Sequence, residues 1–535
     1  MPPRRRHGWR RSRPTSSRWL RRSRRWWPGC EPRSSAPPRP SSAPRGRTCA
    51  GAARGGRPST TRRSRPLTVS LLAATSAELE ATLAPALPGR QAVGRGIVLP
   101  VHGLCHRPGA GALRAKLLVD GEPNPAWLEP WPGRFDRSQR HAFWSWASFG
   151  PVERERTIEL ELELRRRDGS RHLTRLGSIG LVPTARAPLE ILAPEDGPRI
   201  VVCMTTCDPD PELLERQVRS LRAQTLQSWR CVICDDCSSP TGAALVRRAA
   251  ASDERFVLAP TPGPRLGVYE NFERVLSRVP RWAEAIALCD HDDEWRPDKL
   301  AILWERLQGP RTTLVYSDMW IVAHDGRELA ATYWTGRLNN HTDLASLLVA
   351  NAITGAASLF RAELLEDVLP FPPRIDGAMH DWWIGTIALA LGEVGYVSEP
   401  LYHYIQHSAN VLGHFKGSPW PTANELAIML RERLPRGREY ADTLWRARCN
   451  YFEHVRRIVL HAMTLELRCG DRPDAAKQRA IRRMARLDSS VGHLLWMTAR
   501  GLSRWGRPST TLTLDLLLAR GIAWRLWTDA ATRLL

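Results

Sequence analysis

The pattern of apolar and polar positions changes twice along the chain. Between residues 66 and 190 it favours strands. Ile158-Glu159-Leu160-Glu161-Leu162-Glu163-Leu164 alternates apolar with acidic, as a half-buried strand must, because successive side chains leave opposite faces. Arg167-Asp168-Gly169 then offers a turn, and a second strand is predicted to about Leu181. From Ile200 short apolar runs alternate with amphipathic stretches. Strands are predicted at Ile200–Thr206, Arg230–Asp235, Phe256–Ala259 and Ala285–Cys289. Helices are predicted at Pro211–Gln224, Thr241–Ala251, Tyr269–Val279 and Pro297–Gln308. Strands separated by helices of this length imply βαβ units on a mainly parallel sheet. Beyond about Pro421 the period is helical, broken at Pro435, Pro473 and Pro508.

The expected organisation is an Arg/Pro/Ser-rich tail over 1–65, a β-rich accessory domain over 66–190, an α/β domain over 196–415 and a helical region over 416–535. The tail has no periodic apolar pattern, so it cannot bury a core and is expected to be disordered. Its charge changes how the whole chain is read. Of the net +23, the tail holds +19, from twenty arginines against the single acid Glu31, and the other 470 residues hold only +4. A nucleic-acid-binding body is therefore not expected, although the tail reads either as a basic arm for nucleic acid or anionic lipid or as a segment without function. Eleven cysteines in 535 residues are too few and too scattered for a disulfide scaffold. No apolar run reaches the roughly 20 residues of a spanning helix, so a cytoplasmic chain is expected.

Acidic residues gather where a parallel sheet binds ligands, beyond the C-terminal ends of its strands. Asp235-Asp236 follows Cys231-Val232-Ile233-Cys234, and Asp290-His291-Asp292-Asp293 follows Ala285–Cys289. Three aspartates in four residues repel one another. A divalent cation held by hard oxygen ligands and shared with a phosphate would relieve that repulsion. A solvated turn capping the next helix is the plainer alternative. A further carboxylate, in His380-Asp381-Trp382-Trp383, opens an apolar helix, where it reads either as a general base in a walled pocket or as a dipole-favoured cap. Phe143, Trp144, Trp146 and Phe149 read as core packing or as a sugar-stacking surface. Cys231-x-x-Cys234-x-x-Cys237 has metal-site spacing, but strand residues three apart point to opposite faces, so a thiolate site is not expected.

These segments resemble family-2 glycosyltransferases of the GT-A fold. The resemblance runs through Arg199–Thr206, Gln217–Thr225, Cys234-Asp235-Asp236-Cys237-Ser238 and Gly267-Val268-Tyr269-Glu270-Asn271-Phe272. Cys289–Leu300 and His380–Trp383 resemble blocks of that family's rhamnosyltransferase-like branch, with His291 where glutamine is usual, and Tyr402–Gly413 resembles the domain's ending. The resemblance implies inverting transfer of a sugar from a nucleotide diphosphate to an acceptor hydroxyl, with Mg²⁺ or Mn²⁺ as cofactor. A saccharide or lipid-linked acceptor, in cell-surface polysaccharide or glycolipid synthesis, would follow. It places Thr205, Asp235, Asp236, Asn271 and Asp290 on the nucleotide sugar, and Asp292 with Asp290 and His407 on the cation. It makes Asp381 the general base, and puts Trp382, Trp383 and Gly355 on the acceptor side. Another nucleotide-using transferase on a similar scaffold is the competing class, but Thr205-Thr206-Cys207-Asp208-Pro209 lacks the Gly-rich phosphate loop it would need.

A peripheral membrane contact is the last expectation. His493–Leu535 mixes Leu512, Leu514, Leu516, Leu517 and Leu518 with Trp496, Trp505, Trp524 and Trp527 and with Arg507, Arg520, Arg525 and Arg533. Such a stretch either lies in a membrane interface or packs as a helical bundle on the catalytic domain.

Overall fold

The computed structural model describes residues 81–534 apart from 107–112, 130–140, 167, 185, 336–337, 376, 408–437 and 506–508. The expectations for the tail 1–65, for Ser408–Gly413 and for helix between Pro421 and Pro435 lie outside the described residues.

Two sheets and a group of C-terminal helices make up the described chain. The first sheet has eight strands: β1 (Ala81–Leu83), β2 (Arg90–Ala92), β3 (Ile97–Cys105), β4 (Leu113–Val119), β5 (Glu122–Leu128), β6 (His141–Phe149), β7 (Arg156–Arg166) and β8 (Arg171–Val182). Their order is β1-β3-β6-β5-β4-β7-β8-β2, antiparallel except for the β2–β8 pair. In β7, Ile158, Leu160, Leu162 and Leu164 are buried and Glu159 is exposed, as the alternation requires, but Glu163 is also buried, where it pairs with Arg171. Phe143, Trp144 and Phe149 of β6 are buried, and the Trp144 ring stacks on Trp524 of the C-terminal helix at 5.8 Å between centroids. The core reading therefore holds for them.

The second sheet contains β9 (Ile200–Thr206), β10 (Trp229–Asp235), β11 (Phe256–Leu258), β12 (Ala285–Asp290), β13 (Glu294–Trp295), β14 (Thr312–Ala323), β15 (Glu328–Ala330), β16 (Ser358–Arg361) and β17 (Glu393–Gln406). The order is β11-β10-β9-β12-β16-β14-β17-β13, with β15 paired to β14. The strands β9 to β12 are parallel, and all seven residues of β9 are buried, as expected where helices cover both faces. Beyond β12 the sheet is mixed, because β16 runs antiparallel to both β12 and β14. The parallel sheet expected from sequence thus describes one half only. Chain order reverses between β9 and β12, which creates a crevice at their C-terminal ends.

Helices at Pro211–Arg222, Pro240–Ala250, Val268–Ser277 and Lys299–Leu307 match the four expected ones to within a few residues. The first carries Pro at its first turn and is capped by Asp210, whose side chain accepts from Glu212 N and Leu213 N. At the C-terminus, helices span Arg438–Asn450, Arg456–Cys469, Ala475–Ala485, Val491–Ser503 and Leu512–Leu534. In the last of these Leu512, Leu518, Ile522 and Trp524 are buried, so this helix follows the bundle alternative. Among the described residues no helix is long and apolar enough to cross a membrane.

Candidate active site

A cleft of about 850 Å³ opens at the C-terminal ends of β9 and β12. Strand pairing brings its floor together: Thr205 sits directly opposite Asp290, and Thr206 opposite Asp235. Thr205 is buried, with its carbonyl 3.2 Å from His291 Nδ1. Asp236, Asn271, Asp290, His291, Asp292, Gly355, His380, Asp381 and His407 all line the same cleft.

The Asp235–Asp236 pair is already fully engaged. Asp235 accepts from Thr206 Oγ1 at 2.8 Å, Ser238 N at 3.0 Å and Ser238 Oγ at 2.6 Å. Asp236 accepts from Leu266 N at 2.8 Å and Gly267 N at 2.7 Å, with Arg274 at 3.8 Å. Gly267, at φ +94°, lets the chain turn into the Val268–Ser277 helix at this point. In that helix Asn271 donates from Nδ2 to Cys234 O at 3.0 Å. Its Oδ1 is buried without a partner among the described residues, and the side chain borders the cleft. Asp235 does not line the cleft.

The Asp290–Asp293 turn is the opposite case. Asp290 and Asp292 face the cleft, and Asp292 accepts from His407 Nε2 at 2.8 Å. Burial, with Asp292 and Asp381 nearby, pushes the Asp290 carboxyl up to about 7. Burial works the same way on Asp292, but the hydrogen bond from His407 and the nearby His291 outweigh it and hold that carboxyl below its usual range. Asp293 turns away, fully buried, accepting weakly from Ile405 N at 3.3 Å and leaving Oδ2 unpartnered. Behind it lies Lys299, also fully buried, with Nζ 3.3 Å from the centre of the Trp295 ring and bonded to Ala356 O.

Asp381 occupies the first turn of the helix His380–Leu391, but Met379 is the cap residue and its side chain makes no capping bond. The Asp381 carboxylate reaches across to the 351–355 loop. Oδ1 accepts from Asn351 Nδ2 at 3.0 Å and from Trp382 N at 2.7 Å, and Oδ2 accepts from Gly355 N at 3.2 Å. Burial pushes its carboxyl up to about 6 against these bonds, which lower it. A side chain at Gly355 would meet His380 Nε2 at 2.8 Å, so the loop approaches the helix as only glycine allows.

Trp382 and Trp383 require a correction. Both are buried and neither lines the cleft: Trp382 Nε1 donates to Leu347 O at 2.7 Å and Trp383 Nε1 to Val368 O at 2.8 Å. Helical geometry turns residues one and two positions beyond Asp381 by roughly 100° and 200°, away from the side the carboxylate faces. The cleft is lined instead by Tyr333, His324, Met319 and Asn351, from β14 and the segments after β14 and before β16. No motif flagged Asn351. His380 was also unassigned, yet its ring stacks on Phe272 at 3.7 Å, and both ring nitrogens are buried without a partner among the described residues.

The predicted cation set does not close into a cage. Among the described residues no group of three or more His, Cys, Asp or Glu side chains converges as a metal site. The donors at the cleft are carboxylate oxygens of Asp290 and Asp292 with His407 beside them. That chemistry fits a hard divalent cation completing its shell with phosphate and water. The Cys231 and Cys234 thiols are buried in β10 and form no such site.

Residues 200–369 match the family model described as Glycosyl transferase family 2. The uncharacterized protein y4gI of Sinorhizobium fredii is 32% identical over 239 residues, which are 43% of this chain and 25% of that protein, so the chain spans only about a quarter of this relative. Among solved structures, the TarS 1–349 fragment of S. aureus is similar at 14% identity and TM-score 0.33, over 63% of this chain and 91% of that one. The mannosyltransferase PcManGT of Pyrobaculum calidifontis, in complex with GDP-Man and Mn²⁺, is similar at 16% identity and TM-score 0.32, over 64% and 91%.

Proposed function

With residues 200–369 a family-2 glycosyltransferase domain of GT-A fold, we propose that the protein transfers a sugar from a nucleotide diphosphate to an acceptor hydroxyl, with inversion and with Mg²⁺ or Mn²⁺. The observation that carries this reading is Asp381: a part-buried carboxylate, fixed by the 351–355 loop, facing the same cleft as Asp290 and Asp292.

Each residue has a distinct task. Asp381 takes the proton from the acceptor hydroxyl as that oxygen attacks the anomeric carbon from the face opposite the leaving diphosphate. Its raised affinity for a proton suits it to general-base work near neutral pH. A single displacement needs no enzyme nucleophile, and none is required of this cleft. Asp292 and Asp290, with His407, would hold the cation, which supplies charge stabilisation for the diphosphate as the sugar bond breaks. The Asn271 carbonyl oxygen and the His380 ring nitrogens, buried without partners among the described residues, would meet polar groups of the donor.

We further assign the chain to cell-surface polysaccharide or glycolipid synthesis, with a saccharide or lipid-linked acceptor and a rhamnosyl- or hexosyltransferase activity. The test is a screen of UDP-, GDP- and dTDP-sugars for Mn²⁺-dependent transfer or hydrolysis by the full chain, run beside Asp381→Asn. Turnover by the wild type that vanishes in the variant and in EDTA supports the reading. Turnover untouched by either would overturn the assignment of base and cation.

A further inference from the structure

The helix Val491–Ser503 is built inside out. Val491, Leu495 and Leu502 are 61%, 66% and 55% exposed, Ala499 is exposed on the same side, and Trp505 just beyond the helix is 36% exposed. Spacings of four, four and three residues put the helical members on one face. A surface helix ordinarily turns such a stripe to the core and charge to water. Here Met497 and Gly501 are buried, while Arg500 and Arg504 point inward to Asp515.

The surroundings of the stripe are cationic. Arg479, Arg482, Arg483 and Arg486 are exposed on and just after the preceding helix, Ala475–Ala485. Between Ala475 and Trp505 the only acidic residue is Asp488, which is buried and accepts from Tyr451 Oη at 2.7 Å. We propose that this apolar face with its arginine flank is a docking surface for an anionic lipid membrane. Lipid headgroups complement the arginines while the apolar stripe enters the headgroup boundary, with Trp505 suited to its edge. A second copy of the chain would bring like charges against each other. At 13 residues, or roughly 20 Å, the helix lies on a bilayer and does not cross it.

The surface is tied to the cleft. Arg500 Nη2 and Arg504 Nη2 both donate to Ser346 Oγ, at 2.8 and 3.1 Å. Ser346 belongs to the helix Leu344–Val349, which leads into Asn351 and so to Asp381. A docked protein would therefore hold the segment that carries Asn351, and with it Asp381, directly behind the membrane-bound helix. That consequence rests on the transferase reading, but the surface itself does not, since flotation needs no turnover.

The experiment is flotation of the full chain with phosphatidylcholine vesicles, with and without phosphatidylglycerol. The wild type is compared with Leu495→Glu/Leu502→Glu, whose altered side chains are more than half exposed and should leave the melting temperature unchanged. The Arg-rich tail is common to both proteins, so their difference belongs to the helix. The wild type should float with anionic vesicles, and the variant should lose at least ~10-fold in vesicle-bound fraction. Arg479→Gln/Arg486→Gln should weaken flotation at low salt only, and it stands as the test should the first variant fail to fold. Equal flotation of wild type and variants, or none by the wild type, would overturn the proposal. So would a wild-type dimer in solution that Leu495→Glu/Leu502→Glu dissolves, which would make a second copy the occupant.

Discussion

Two acidic strand ends flank β9 in one sheet and do opposite things. At the end of β10, five short hydrogen bonds from Thr206, Ser238, Leu266 and Gly267 absorb Asp235 and Asp236. At the end of β12, Asp290 and Asp292 share the cleft with Asp381 and, apart from His407 on Asp292, find no comparable set of donors among the described residues. A carboxylate ringed by backbone N–H groups is a fastener. Several carboxylates held close together without enough donors are an unfinished electrostatic arrangement, completed by something from outside. Both ends are acidic, with two aspartates at β10 and three at β12, so the donors around each end, rather than the presence of carboxylates, tell them apart.

Asp381→Asn breaks the comparison hardest. Removing the base should lower kcat by ~100-fold or more while donor affinity stays nearly intact, as steady-state kinetics against donor titration would reveal. Collapsed donor binding with intact turnover would make Asp381 a structural residue. Asp292→Asn comes next, with a loss of ~100-fold in transfer and a weakened response to Mn²⁺ titration. Unchanged activity in excess EDTA would remove the cation from the account.

On the fastener side, Asp236→Asn should cost about 2 kcal/mol of stability, because an amide offers one acceptor oxygen to two backbone donors. Denaturant unfolding should record that loss. A variant as stable as wild type but impaired in donor affinity would move Asp236 to the ligand side. The smallest effect is a pH limb. Burial raises the Asp381 carboxyl to about 6, so the base is ionised above that value and protonated below it. The acid limb of kcat should fall roughly tenfold between pH 7.5 and pH 5. Asp381→Asn should lose this limb, and a limb that persists in it belongs to another group.

Much of this architecture was legible in sequence. Ile200–Thr206 was predicted to the residue, and the four helices of the central domain to within a few, because each is written in local periodicity and capping. The carboxylates at strand ends were legible for the same reason. The mixed half of the sheet was not, since β14, β16 and β17 meet through pairings up to about eighty residues apart. Nor was Asn351, a lone polar residue in a loop, whose bond to Asp381 spans thirty residues. The tryptophans after Asp381 misled because their proximity in sequence hid the rotation of the helix that turns them into the core.

The sequence by itself determined the elements and the chemical inventory: a β-rich segment, a βαβ domain, helices at the end, and aspartates where strands stop. It did so because side-chain periodicity and backbone propensity act over a few residues. Tertiary structure alone decided which aspartates are met by nearby donors and which are left short of them, and that Asp381 is gripped by the 351–355 loop. It also decided that the apolar face left in solvent belongs to Val491–Ser503, while Leu512, Leu518, Ile522 and Trp524 of the leucine-rich last helix are buried. These outcomes depend on donors and contacts supplied by distant segments, and no local pattern encodes which partner a side chain will meet.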